Sequence, residues 1–369
     1  MTEVIILGLT GSIGQTAVRG CKTFRDQIHI CGASAHSRIG QALTVCIENG
    51  IKNLCITSDE PCPETDQVRI WRDLKEMLLS LEADVVLNGI SGSAGLKASI
   101  SVIETSPVLA LANKESVVMG GWLLFEEAKK HGCKIIPVDS EHSAIDELIM
   151  TEGRENVSSL VITASGGPFR NMDQKDLEEI TPEQAVKHPT WSMGPKISID
   201  SSTLANKALE VIEAHFLFNF PSDKIEVVIH PQSIVHSMVR STSGQVYAQM
   251  SPPDMGFPIM RALLQYSFPH EAGAALDFTK LDLTFSSPDF KRFPFLTDAY
   301  ECVRLEGMYP TVFNTANEIA VAAFINHKIK FTQIRSVVRD VLDLDWSEKI
   351  KSFDHIYEVQ AKVQRQVKL

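Results

Sequence analysis

Six short apolar runs alternate with amphipathic stretches over the first third of the chain, and no other feature narrows the possible folds so far. VIILG, IHICGAS, NLCITS, ADVVLNGI, PVLALAN and CKIIPVD each have the length and character of a strand buried on both faces. Between them, QTAVRGCKTF, GQALTVCIENG, WRDLKEMLLSLE and GWLLFEEAKKHG carry helical spacing. Parallel strands need crossover connections, so the alternation predicts a doubly wound α/β domain over residues 1–139.

The rhythm then breaks. From about 140 to 266, SSLVITASGG, KISID, IEVVIH and SIVHSMVR read as strands, and STSG followed by QVYAQMS reads as a hairpin. The stretch over 186–195, with HPTWSM, combines Pro, Gly and an aromatic in a polar context and reads as a packed anchor, with a mobile lid as the alternative. Residues 267–295 read as a linker, and 296–369 as a C-terminal helical domain. The expected architecture is therefore α/β: an N-terminal doubly wound Rossmann-type domain, an α+β middle domain, and a C-terminal helical domain. A net charge of −11 argues against nucleic acid as the main partner, and no apolar run approaches a membrane span. Seven scattered cysteines without a C-x-x-C pair read as free thiols, and with no recognisable leader this points to the cytoplasm.

Strand one runs into GLTGSIGQTAV, with glycines at 8, 11 and 14. Small residues let the backbone approach a pyrophosphate, and the helix N-terminus that follows favours its charge. A plain tight turn is the alternative, but the strand–loop–helix context favours a dinucleotide. The second strand ends in ASAHSRIG, without the acid that commonly holds an NAD ribose. Ser34, His36, Ser37 and Arg38 stand there instead, and Arg38 suits a 2′-phosphate, so NADP(H) is favoured over a merely solvated arginine.

The run IIPV ends in Asp139 and Glu141, with only Ser140 between them. A helix cap needs one such residue, whereas two acids at the carboxyl edge of the sheet suit a hard divalent cation. DSSTLANKALEVIEAH offers a third acid: Asn206, Lys207 and Glu210 share one helical face, led by Ser201, Ser202 and Thr203. A surface Lys–Glu pair is the plainer reading of that face. Ser165-Gly166-Gly167 can present amides to an anion, and His188, His230 and His236 lie near strand ends or loops.

Taken together, TGSIG, ANKES, VDSEHSAI, SGGPF, HPTWSMGPKISIDSSTLANKALEVIEAH, IHPQSIVHSMV and ANEIAVAAF resemble the 1-deoxy-D-xylulose 5-phosphate reductoisomerase family over nearly the whole chain. The resemblance implies NADPH- and divalent-metal-dependent (Mg²⁺, Mn²⁺ or Co²⁺) isomerisation and reduction of a phosphosugar by a homodimer. It implies a metal held by Asp139, Glu141 and Glu210, and a phosphate met by Ser165, Ser201, Asn206, Lys207 and His188. Ser140 and Lys114 would contact the substrate's oxygenated carbons, with Lys114, Glu141, His188 and Trp191 in catalytic roles, Trp191 from a mobile lid near 186–195; the middle domain would be catalytic and supply the dimer contact. Thr10, Gly11, Ser12, Ile13, Asn113, Glu115, Met193, Gly194 and Met255 would lie along the cofactor. Leu9, the SAHSR loop, Pro195 and the PDMGFPI segment depart from the family's usual pattern. A metal-free NADP-dependent dehydrogenase and a non-catalytic NADP sensor are the alternatives.

Overall fold

The computed structural model describes residues 1–188, 190–191, 193–267 and 275–369. Pro189 and Ser192 of the expected lid, and residues 268–274 of the expected linker, lie outside the described residues. The chain divides into two compact units, each assembled from segments distant in sequence. Unit 1 comprises Met1–Ser116, Leu124–Ser143 and a segment beginning at Asp254; unit 2 comprises Val117–Leu123, Ala144–Pro253 and a segment running from Ala275 to Leu369.

Unit 1 is built on a parallel sheet of seven strands: β1 (Thr2–Leu7), β2 (Ile28–Ala35), β3 (Asn53–Ile56), β4 (Arg69–Trp71), β5 (Val85–Asn88), β6 (Val108–Leu111) and β7 (Lys134–Pro137). The order is β4-β3-β2-β1-β5-β6-β7, so the winding reverses between β1 and β5. β4 extends the expected sheet; its three residues are too short for a periodicity to register. The helix Ser12–Thr23 buries Gly14, Ala17, Val18 and Cys21, the spacing of a single helical face. The helix Gly256–Leu263 adds Ile259, Met260, Ala262 and Leu263 to the same core as Val4, Ile6 and Leu87.

Unit 2 carries a four-stranded sheet of order β11-β10-β8-β9, formed by β8 (Val157–Ala164), β9 (Ile225–Ile229), β10 (Val235–Ser241) and β11 (Val246–Met250). β10 and β11 pair antiparallel, as the hairpin signal predicts, and Gly244 turns between them at φ 88°. The segment KISID is not a strand. It lies within the helix Pro195–Thr203, with Gly194 as N-cap and Pro195 in the first turn. Its apolar alternation is only two residues long, and Ser198, Ile199, Asp200, Ser202 and Thr203 are all buried, so period two carried no information there. Leu204, at φ 62°, separates this helix from Ala205–Phe218. Ser201, Ser202 and Thr203 therefore close one helix and do not lead directly into the next. The helices Phe295–Leu305, Tyr309–Ile325, Gln333–Leu342 and Phe353–Gln366 complete the unit. No helix of the described residues is long and apolar enough to cross a membrane.

Candidate active site

In a doubly wound sheet, ligands bind outside the carboxyl ends of the strands where the winding reverses. Here that point lies between β1 and β5. Gly8 turns the chain there at φ 79°, and a Cβ on it would lie 2.9 Å from the Gly89 carbonyl oxygen. Gly11 donates to the Gly8 carbonyl at 3.0 Å and precedes the helix Ser12–Thr23 without any side-chain cap. A helix start of this kind, preceded by glycine and without a side-chain cap, favours an anion. Ser34 is buried, and its hydroxyl accepts from the Gly8 amide at 3.2 Å while its carbonyl accepts from Leu9 at 2.9 Å, so it braces the loop. His36, Ser37 and Arg38 are exposed beside it; His36 Nδ1 meets Thr57 Oγ1 at 3.1 Å, and Arg38 is left-handed at φ 56°. Thr10 is buried, Ile13 packs against the core, and Met255 packs on the same core from the far end of the unit's sequence.

The neighbouring strand ends are held by a buried polar network. Asn88 Nδ2 donates to Ser99 Oγ at 2.8 Å and to the Gly95 carbonyl at 3.0 Å. Asn113 caps the helix Lys114–His131, its Oδ1 accepting from the Ser116 amide at 2.9 Å. The Asn113 amide nitrogen donates to the carbonyls of Ile90 at 2.8 Å and Gly92 at 2.9 Å, and to Glu115 at 2.9 Å. These bonds fix the direction in which Lys114 leaves the helix start. Lys114 Nζ lies 2.7 Å from Asp139 Oδ2, and both groups are largely buried. Asp139 also caps: its carbonyl accepts from Ser143 at 2.8 Å, and its Oδ1 lies 3.3 Å from His142 Nδ1. The cap and the ionic contact coexist on one residue. The Glu141 carboxylate accepts from the Ser140 hydroxyl one residue before it.

Unit 2 presents a second cluster. β8 ends in Ser165-Gly166-Gly167, and the two glycines have φ 82° and 70°. A Cβ on Gly167 would lie 2.7 Å from the Ser201 carbonyl oxygen, so only glycine lets this loop abut the segment that carries Ser201. His188 Nδ1 accepts from the amides of Thr190 at 3.1 Å and Trp191 at 2.9 Å. That leaves the proton on Nε2, which donates to Ser165 Oγ at 3.1 Å. Burial, assisted by the charge of Arg170, holds the His188 pKa below its ordinary value, which agrees with this neutral tautomer. Arg170 itself escaped the sequence reading, although it closes the GGPFR run, and its Nη1 donates to the Gly167 carbonyl at 3.3 Å.

On the helix Ala205–Phe218, Asn206 Nδ2 donates to Glu210 Oε1 at 2.6 Å and Lys207 pairs with Glu210 Oε2. The plainer reading of this face as a surface pair does not hold: Lys207 is 4% exposed and Glu210 1%. Trp191 faces His236 with ring centroids 6.3 Å apart, and burial lowers the His236 pKa. Met193 is half-buried; Gly194 is exposed with open space around it. His230 is structural: its Nε2 accepts from Ile234 and Val235, both at 3.1 Å, and its Nδ1 donates to the Thr284 carbonyl at 3.0 Å.

Three family models match the chain: 1-deoxy-D-xylulose 5-phosphate reductoisomerase over residues 4–121, the C-terminal domain of that enzyme over 135–218, and the DXP reductoisomerase C-terminal domain over 250–366. A curated 1-deoxy-D-xylulose 5-phosphate reductoisomerase from Treponema denticola is 46% identical over 362 residues, covering 97% of this chain and 94% of its own length. The solved structure of the Zymomonas mobilis reductoisomerase in complex with NADPH superposes with a TM-score of 0.88 at 36% identity, covering 99% of this chain and 97% of the other. A DOX-P reductoisomerase in complex with NADPH, fosmidomycin and magnesium gives a TM-score of 0.88 at 34% identity, with the same coverage of 99% and 97%.

Proposed function

The chain belongs to the 1-deoxy-D-xylulose 5-phosphate reductoisomerase family, and from that membership we infer that it converts 1-deoxy-D-xylulose 5-phosphate to 2-C-methyl-D-erythritol 4-phosphate, using NADPH and a divalent cation. The observation that carries this reading is the buried charge on the helix Ala205–Phe218. A lysine and a glutamate at 4% and 1% exposure cost more to bury than an apolar pair of similar volume, so a function is the better account of them.

The residues fit both groups. Asp139, Glu141 and Glu210 supply hard oxygen donors, the set that Mg²⁺, Mn²⁺ and Co²⁺ accept. Asp139 and Glu210 each already sit against a lysine ammonium, a positive charge where a cation would supply one. The loop has no room for a side chain at Gly8 or Gly14 and little at Gly11, as close approach to a pyrophosphate requires. When bound, the cation supplies Lewis-acid polarisation of the ketone, and NADPH supplies hydride.

The chain's own residues then have distinct tasks in the proposal. Ser165, Ser201, Asn206 and Lys207 bind the substrate phosphate, and neutral His188 donates from Nε2 beside Ser165. Binding energy at that remote end orients the reacting carbons. Lys114 and Ser140 hold the oxygenated carbons, and Glu141 doubles as a proton acceptor. Trp191 covers the substrate from the 186–195 segment and excludes water. Thr10, Gly11, Ser12 and Ile13 line the pyrophosphate, with Asn113, Glu115, Met193, Gly194 and Met255 along the rest of the cofactor. His36, Ser37 and Arg38 face the 2′-phosphate, with Ser34 bracing the turn.

Purified protein is expected to oxidise NADPH when 1-deoxy-D-xylulose 5-phosphate and Mg²⁺ are added. Turnover should fall at least about 100-fold with excess EDTA and at least about tenfold with NADH in place of NADPH. Full turnover in EDTA would favour a metal-free dehydrogenase. We also propose a cytoplasmic homodimer that uses the four-stranded sheet region. The seven unpaired cysteines support a reducing compartment. Light scattering should return twice the chain mass of 40.8 kDa, and a monomer at micromolar concentration would rule the dimer out.

A further inference from the structure

We propose that Arg292 is a positioning residue for the anion loop that follows β8: it pins the carbonyls of Arg170 and Met172, and so holds Ser165, whose Oγ accepts from the Gly167 amide at 3.3 Å, in place to meet the substrate phosphate. The inference rests on the phosphosugar reading above and deepens it. Arg292 Nη2 donates to the Arg170 carbonyl at 2.7 Å, and Nη1 donates to the Met172 carbonyl. Nε donates to Asp289 Oδ2 at 2.8 Å. Asp289 is itself fixed, because its Oδ1 accepts from the amides of Lys291 and Arg292, both at 3.0 Å. A guanidinium is thus clamped at one edge and holds two carbonyls of a single loop about 120 residues away in sequence.

The loop needs an outside brace. Gly166 and Gly167 adopt left-handed φ without strain, but glycine specifies no conformation by itself. Phe169 anchors the tip, buried with its ring 5.5 Å from that of Phe331. The Met172 amide donates to the Phe169 carbonyl at 3.0 Å, and Arg170 Nη1 to the Gly167 carbonyl at 3.3 Å, so the carbonyls that Arg292 holds belong to the same turn as the glycines. Because Gly167 abuts the Ser201 backbone, a shift of this turn changes the spacing of Ser165 and Ser201. Arg292 acts through carbonyls, not by touching substrate. Lysine has one nitrogen and cannot span two carbonyls and a carboxylate at fixed angles.

The test compares wild type with Arg292→Ala and Arg292→Lys. Inorganic phosphate is the probe, read by its stabilisation of the folded protein and by competitive inhibition of NADPH oxidation. Arg292→Ala is expected to weaken phosphate binding and to raise the KM for the phosphosugar by the same factor, about tenfold, with the KM for NADPH within about twofold. Arg292→Lys should behave like the alanine variant, and millimolar guanidinium should restore Arg292→Ala. Unchanged phosphate affinity in the folded variant overturns the proposal, as does a parallel rise in the KM for NADPH, which would mark general loosening. If Arg292→Ala does not fold, Arg292→Lys decides by the same readings. Absence of phosphosugar turnover in wild type would count against the enzymatic reading alone, since the phosphate-stabilisation series still reports on Arg292. Absence of any phosphate stabilisation in wild type would overturn the loop proposal itself.

Discussion

Glu210→Gln is expected to lower kcat/KM about 10³-fold, or roughly 4 kcal/mol of transition-state stabilisation. The substitution keeps the size of the side chain and its capacity to accept from Asn206 Nδ2, which lies 2.6 Å away. It removes the negative charge. In the proposed metal site, one of three anionic oxygens becomes a weak neutral donor. That loss should exceed the 10- to 100-fold typical of groups that only orient ligands. The Mg²⁺ concentration for half-maximal rate should rise with it. Lys207, 4% exposed, would keep a buried charge beside a neutral partner, so some stability, about 1–3 kcal/mol, should be lost as well. Circular dichroism and a melting curve separate that effect from catalysis. Wild-type activity with wild-type Mg²⁺ dependence would remove Glu210 from the metal site.

Gly14→Ala should abolish useful NADPH binding. A Cβ at this position would lie 2.5 Å from the Gly8 carbonyl oxygen, 2.7 Å from the Leu9 carbonyl oxygen and 2.8 Å from the Leu9 carbonyl carbon. All three are backbone atoms of the loop that the cofactor must approach, so no side-chain rotation relieves the overlap. Either the helix Ser12–Thr23 moves off the turn or the turn opens. We expect NADPH affinity to fall at least about 30-fold, with about 1–3 kcal/mol of overpacking lost from stability. Gly20 makes a useful control: its Cβ would meet Met260 Sδ at 2.4 Å, the far part of a flexible side chain. Fluorescence titration with NADPH is the measurement. Wild-type affinity in Gly14→Ala would detach the glycine loop from cofactor binding.

The parallel sheet was legible because a strand buried on both faces must be apolar throughout, and VIILG or PVLALAN leaves little other choice. Its order could not be read, yet the order is what puts Gly8 at the reversal point between β1 and β5. The glycine loop, the hairpin, and the acids at the end of β7 were readable for the same local reason: turn geometry and strand periodicity are properties of consecutive residues. KISID shows where that logic fails. Five residues with two isoleucines fit either period, and only Pro195 and the Gly194 cap decide for a helix.

What the sequence determined by itself was a chain of strands, helices and special turns, with the reactive residue types already at element ends. Tertiary structure alone decided which of those residues are buried and what they meet. Lys207 and Glu210 have the spacing of an ordinary surface pair, and their burial comes from segments that no local pattern announces. Arg292 reaches a loop more than a hundred residues earlier, and the helix Gly256–Leu263 returns to the core of unit 1 after a long excursion. Periodicity encodes which way a side chain faces along its own element. The partner across the fold depends on long-range packing, where hydrophobic burial and a small number of satisfied buried charges set the final arrangement.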